Sequence, residues 1–221
     1  VLMSGFGSAG QRCSALRVLF VPHDTADLLI DGLRGAMRTL TVGDPADPRT
    51  DVGPVIDEDA RSALEVHVQR LTIEAKVLER LEIPAGGYFF APTLAEIPDA
   101  AFLGKEVFGP ILHVIRYDPT KLAEAAAPLV QARYGLTLGV HSRIEAFAEE
   151  VMRAVPAGNA YVNRSMIGAV VGVQPFGGEG LSGTGPKAGG PHALLRYAVE
   201  RAVSVNIAAQ GGDPALLNLD A

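Results

Sequence analysis

The chain is nearly without cysteine: Cys13 is the only one in 221 residues, and there is no tryptophan at all. A single thiol excludes an intramolecular disulfide framework and fits a reducing cytoplasm, the compartment expected for this chain. Lysine is scarce, four residues against fifteen arginines, and the basic residues form no run. With a formal net charge of −6 and a pI near 5.4, the surface is unsuited to nucleic acid or an anionic membrane. Long apolar stretches are missing too: IGAVVGV at 167–173 falls far short of the roughly 20 residues a membrane-spanning helix needs. No signal peptide is visible. The chain opens at Val1, already in structured-looking sequence, so it is expected to belong to a longer polypeptide.

What is present is a globular composition, 48 % hydrophobic, in a length that suits one domain with a sound core. Strand-like and helix-like stretches alternate. Leu16–Val21 reads as a strand, and Asp24 and Thr25 are placed to cap a helix whose apolar stripe includes Leu28, Leu29, Leu33, Met37 and Leu40. DPADPRTDVGP at 44–54 is a loop, Asp57 caps a helix to about Lys76, and a strand follows near Val77–Leu81. ILHVIRYD, LTLGVHS and NAYVN read as strands, separated by helices over Thr120–Arg133 and Arg143–Val155. Ala193–Arg201 is expected to be helical and AVSVNIAA to form a last strand. The alternation predicts an α/β domain with a largely parallel sheet.

GFGSAGQRCSALRVLFV at 5–21 admits two incompatible readings. Gly5, Gly7 and Gly10 outline the pyrophosphate loop of a dinucleotide fold. That fingerprint requires a strand before the first glycine and a helix of about three turns after the last. Only four residues precede Gly5, and the run after Ser14 is strand-like, so the phosphate reading is rejected. The other reading is the seat of a nucleophile. A lone cysteine is more often a buried, inert filler. Here, small residues surround Cys13, Arg12 adjoins it as a cation favouring thiolate, and a strand follows, which puts it at a cleft edge. None of the five histidines stands in a setting diagnostic of a Cys–His pair.

GAVVGVQPFGGEGLSGTGPKAGGP at 168–191 holds nine glycines and three prolines. It lacks the G-K-[ST] ending of a Walker loop, and isolated Phe176, Glu179, Leu181 and Lys187 distinguish it from a featureless linker. Glycine-rich backbone can turn its N–H groups inward as a nest for a carboxylate, with Phe176 covering an aliphatic stem.

GQRCSA, KEVFGP at 105–110, YGLTLGV at 134–140, GNAYVN at 158–163 and PFGG at 175–178 stand in the order and approximate spacing of aldehyde dehydrogenases. The chain resembles that family over nearly its whole length. QPFGGEGLSGTGPKAGGP and the serine after Cys13 resemble the Δ1-pyrroline-5-carboxylate dehydrogenase branch, in particular the C-terminal part of bifunctional proline-utilisation enzymes. The resemblance implies an aldehyde dehydrogenase catalytic domain over 1–204, with 205–221 as strand end and tail. It implies NAD-dependent oxidation of L-glutamate 5-semialdehyde to L-glutamate in proline catabolism, with Cys13 attacking the aldehyde. It assigns Glu106 and Phe108 to the nicotinamide ribose and ring; without it, Glu106 reads as a solvated turn carboxylate. It assigns Ser14, Ser182, Gly183 and Thr184 to the substrate carboxylate and Phe176 to its methylene chain. Partners implied are an NAD-binding domain upstream in the same polypeptide, a proline dehydrogenase domain in the bifunctional case, and further copies in a homo-oligomer. The family's general-base glutamate and oxyanion asparagine lie upstream of the cysteine, before Val1. Another aldehyde specificity, or a cofactor-independent cysteine hydrolase or binding domain, stands as the alternative.

Overall fold

The computed structural model describes residues 1–170, 172–206 and 209. Strands β1 (Val18–Pro22), β2 (Lys76–Arg80), β3 (Thr93–Glu96) and β4 (Ile111–Tyr117) form a four-stranded sheet in the spatial order β1-β4-β3-β2. β4 lies parallel to both β1 and β3, while β2 pairs antiparallel with β3. A parallel strand covered on both faces needs apolar residues without alternation. β4 has them: of ILHVIRY, every residue except Arg116 is buried.

Three helices precede or cover this sheet: α1 (Leu2–Phe6), α2 (Ala26–Met37) and α3 (Glu58–Glu74). The Asp57 carboxylate accepts the Ala60 N–H at 2.8 Å, satisfying a first-turn amide of α3. Leu64, Val68 and Leu71 recur at helical spacing and are buried against the sheet. α2 departs from expectation. Its buried stripe is Ala26, Ile30, Leu33 and Met37, whereas Leu28 is 82 % exposed and Thr25 makes no side-chain cap. Arg34 and Arg38 both reach Glu79 on β2, at 3.1 and 2.8 Å, which fixes the other face of α2 to the sheet edge.

The second half contributes α4 (Leu122–Gln131), β5 (Tyr134–Gly135), β6 (Thr137–Val140), α5 (Glu145–Ala154), β7 (Asn159–Val162) and β8 (Glu179–Gly180). β6 and β7 are parallel, β5 and β8 antiparallel. The parallel sheet is therefore present in two pieces, and β1 and β6 line opposite parts of one apolar cleft of about 1580 Å³. The α/β class stands. The C-terminal region differs from expectation: only a 3-10 turn spans Ala193–Tyr197, and 202–206 belong to no strand. Leu194, Tyr197 and Val199 are exposed, and a short helix without a packing surface is marginal. Residues 207 and 208 of the expected last strand, and all but residue 209 of the tail after them, lie outside the described residues.

Candidate active site

α1 runs directly into a 3-10 turn at Gly7–Gly10, so the glycines of GFGSAG follow a helix rather than a strand. Ser8, Ala9 and Gly10 are all left-handed, with φ of 56°, 53° and 63°. For Ser8 and Ala9 that conformation costs on the order of 1–3 kcal/mol each and persists only where surroundings enforce it. Gly10 is required on a second ground: a Cβ there would collide with the Gly109 carbonyl. The glycine serves close approach of two loops. Gln11 ties the turn down, its Oε1 accepting the Ile56 N–H at 2.8 Å and its Nε2 donating to the Pro54 carbonyl at 3.4 Å. Arg12 Nε donates to Ser8 Oγ at 3.0 Å. Cys13 emerges from this loop exposed. Ser14 behind it is buried, its carbonyl accepting from Thr137 Oγ1 at 3.3 Å.

Arg17, at the entrance to β1, was not singled out by its sequence context. Its Nη1 donates to the Gly10 carbonyl at 2.5 Å and the Gly109 carbonyl at 3.4 Å, and Nη2 to the Arg12 carbonyl at 3.1 Å. Nε donates to Glu106 Oε1 at 3.1 Å, and the guanidinium carbon stands 4.7 Å from the centre of the Phe108 ring. Its side chain is 14 % exposed. Burial pulls the guanidinium below its usual range, opposed first by the Glu106 charge and hydrogen bond and then by Cys13. Of the two arginines near Cys13, Arg17 lies close enough for its charge to interact with Cys13, while Arg12 donates to Ser8.

Glu106 and Phe108 sit on the loop between the 3-10 turn Ala100–Leu103 and β4. Their exposures are 40 % for the Glu106 side chain and 46 % for Phe108. Cys13, Arg17 and Glu106 share the wall of the large cleft. A smaller hollow of about 630 Å³ opens on the other side of Cys13, bounded by Ser14, Phe176, Gln174, Ala188 and Gly189. Phe176 is held there by an antiparallel bridge to Ala188. Asn159 of β7 clamps the same loop, donating from Nδ2 to the Pro175 carbonyl at 2.9 Å and accepting the Gly177 N–H on Oδ1 at 3.2 Å.

Ser182, Gly183 and Thr184 are not brought to that hollow. Ser182 Oγ accepts the Gly135 N–H at 3.2 Å, and Ser182 reaches the larger cleft instead. Gly183 packs backbone to backbone on Gly178, and the Thr184 carbonyl and hydroxyl both accept from Arg196 Nη1, at 2.8 and 2.7 Å. The reason lies in β8: pairing Glu179–Gly180 with Tyr134–Gly135 pulls 182–184 to the sheet, and the returning Ala188–Gly189 takes the place beside Cys13. Neither a carboxylate nor an imidazole is among the described residues lining the hollow. His67 and His113 pair elsewhere, Nε2 to Nε2 at 2.9 Å, and His113 Nδ1 donates to the Arg17 carbonyl at 3.0 Å. Among the described residues no hydrogen bond joins a histidine to Cys13, although His113 and His141 line the same large cleft.

Three comparisons bear on this arrangement. Residues 1–203 match the model of the aldehyde dehydrogenase family. The chain is 50 % identical over 221 residues to the bifunctional protein PutA of Escherichia coli, covering 95 % of this chain and 17 % of that protein. A crystal structure of a bifunctional proline utilization A protein superposes with a TM-score of 0.88 at 55 % identity, over 95 % of this chain and 22 % of that one. A 1-pyrroline-5-carboxylate dehydrogenase from Thermus with bound NAD superposes with a TM-score of 0.76 at 36 % identity, over 86 % of this chain and 37 % of that one. The chain spans less than half of each of these proteins. With a family model covering nearly its whole length and an exposed cysteine on the loop that the family's motifs enclose, the chain belongs to the aldehyde dehydrogenase family.

Proposed function

We propose that this chain is the nucleophile-bearing part of an enzyme that oxidises L-glutamate 5-semialdehyde, formed from Δ1-pyrroline-5-carboxylate, to L-glutamate with NAD in proline catabolism. The observation that carries the reading is the position of Cys13. It stands exposed between a cleft edged by Glu106 and a hollow closed by Phe176, in a chain half identical to bifunctional PutA.

The residues fit a nicotinamide nucleoside. Glu106 uses only Oε1 on Arg17, which leaves Oε2 free among the described residues to accept ribose hydroxyls, and the Phe108 ring is half exposed beside it. When bound, the nicotinamide accepts hydride from the carbon attached to sulfur. The chain's own groups do the rest. Cys13 Sγ adds to the aldehyde carbon, forming a C–S bond and a thiohemiacetal, and the Cys13 backbone N–H can contribute a donor to the developing oxyanion. Loss of hydride leaves a thioester on Cys13. Water cleaves it, releasing the carboxylic acid and the thiol. Phe176 covers the methylene chain of the substrate. Its α-carboxylate is best met by Ser14 and the Ala188–Gly189 backbone, which share the hollow with Cys13, rather than by 182–184.

The enzyme is read as a cytoplasmic homo-oligomer whose polypeptide carries an NAD-binding domain and, as in its bifunctional relatives, further domains; light scattering gives the mass that checks the assembly. Among the described residues no helix is long and apolar enough to cross a membrane. The test is NADH formation by the full polypeptide with the semialdehyde. Cys13→Ala is expected to lower kcat by on the order of 10³-fold or more with the fold retained. Preference for a simple aliphatic aldehyde over the semialdehyde would point to the other specificity.

A further inference from the structure

From the convergence of two loops on one guanidinium, we infer that Arg17 is a positioning residue that couples the nucleophile loop to the cofactor side of the site. The inference rests on the proposed NAD-dependent reaction and names a residue that acts through Glu106, Phe108 and the Cys13 loop rather than on substrate.

The geometry is that of a planar fork used to its limit. Arg17 spends Nη1 and Nη2 on two carbonyls that lead into Cys13, those of Gly10 and Arg12, and Nε on the Glu106 carboxylate. Its face covers Phe108 at 4.7 Å. Only arginine presents donors in a rigid plane together with a stacking surface; lysine offers a point charge. The left-handed turn at Ser8–Gly10 is strained, and the Gly10 carbonyl that ends it has Arg17 as its donor. The same cation offsets the charge of Glu106, which eases the approach of an anionic dinucleotide to a carboxylate that must accept its ribose hydroxyls. Cys13 loop and Glu106 are thereby fixed relative to each other through one side chain 14 % exposed, whose backbone carbonyl is itself held by His113.

The experiment is a double-mutant cycle in the full polypeptide with Arg17→Gln, Glu106→Gln and both together. NAD binding is read by titration, turnover by NADH formation, and fold by the urea midpoint. Arg17→Gln is expected to weaken NAD binding and lower kcat/KM by about 10- to 100-fold, the value of charge-assisted hydrogen bonds lost from a buried network. The effects of Arg17→Gln and Glu106→Gln on NAD affinity are expected to be non-additive, the double variant being no worse than the poorer single one. Arg17→Lys keeps charge and length and serves if the glutamine variant fails to fold; it is expected to recover little of the loss. Additive effects on NAD affinity, or full recovery with lysine, overturns the inference while leaving the dehydrogenase reading intact. A wild-type polypeptide that forms no NADH from any aldehyde removes the dehydrogenase reading, and the coupling falls with it.

Discussion

His113 shows how a single buried side chain ties the core to the site. It is fully buried in β4, where burial lowers its pKa to about 4, with the His67 and Arg17 charges acting in the same direction and the Arg17 carbonyl opposing. The hydrogen bonds assign its tautomer: Nδ1–H donates to the Arg17 carbonyl, so Nε2 accepts from His67 Nε2–H. His67, also lowered by burial and by Arg70 and Lys105, is neutral for the same reason. A folded-state pKa below the unfolded value near 6.5 means the unfolded chain binds the extra proton. Stability is then complete above pH 6.5 and falls as pH drops from 6.5 towards 4, by at most about 3 kcal/mol for His113. Glu58, Glu79 and Asp118, held low by their partners, lose their contributions only at more acid pH. We expect the urea midpoint of the wild type to drop between pH 7 and 4.5, and His113→Gln, which keeps a donor for the Arg17 carbonyl, to flatten that slope. An unchanged slope in the variant would show that His113 is not the group being protonated.

At the scale of elements, the site depends on how the glycine-rich loop is pinned to β7. A Cβ at Gly158 would collide with the Gly177 carbonyl, Lys187 Nζ donates to the Gly158 carbonyl, and Asn159 bonds both Pro175 and Gly177. These contacts hold the wall that carries Phe176. Asn159→Ala should destabilise the domain by about 1 kcal/mol by leaving half-buried backbone groups without their partner, and raise KM for the semialdehyde several-fold more than it lowers kcat; the reverse split would place Asn159 in the chemistry instead. Such clamps explain what was legible in the sequence and what was not. Local signals read well: Asp57 as the α3 cap, ILHVIRY as a strand, and Cys13 at a cleft edge all follow from chemistry within a few residues. In α2, Leu33 and Met37 are buried as expected, but the stripe is completed by Ala26 and Ile30 rather than by Leu28 and Leu29, which are exposed. Arg17 escaped notice because Glu106 and Gly109 lie 89 and 92 residues further along, and only the β1–β4 pairing brings them near. The carboxylate nest was sought at 182–184 because SGTG carries the glycine pattern. A two-residue strand, too short to announce itself, holds Ser182 at the larger cleft, while Ala188 and Gly189 line the hollow with Cys13.

At the scale of the whole molecule, the site is chemically incomplete within the described residues. The proposed nucleophile Cys13 is present, and so are Glu106 and Phe108, proposed for the ribose and ring, yet neither Asp, Glu nor His is among the described residues lining the hollow beside Cys13. Glu106, the carboxylate on the cleft side, spends Oε1 on Arg17 and offers Oε2 to the proposed ribose. The hollow therefore offers no base of its own for thioester hydrolysis, and general base catalysis contributes about 10²–10⁴-fold. One backbone oxyanion donor at Cys13 leaves a second to be supplied, worth about 10²–10³-fold. The family relatives are also longer, since this chain spans 17 % of one PutA and 37 % of one dehydrogenase. The 221 residues alone are thus expected to hold a reactive but unproductive thiol. Iodoacetamide should label Cys13 stoichiometrically, which mass spectrometry reads without ambiguity because no other cysteine is present. The same sample should form no NADH from the semialdehyde above background. The two readouts together separate the possibilities: a thiol that resists alkylation contradicts the exposed loop, whereas NADH formation by this chain alone would mean that it supplies a base and a dinucleotide site beyond the groups that line the hollow.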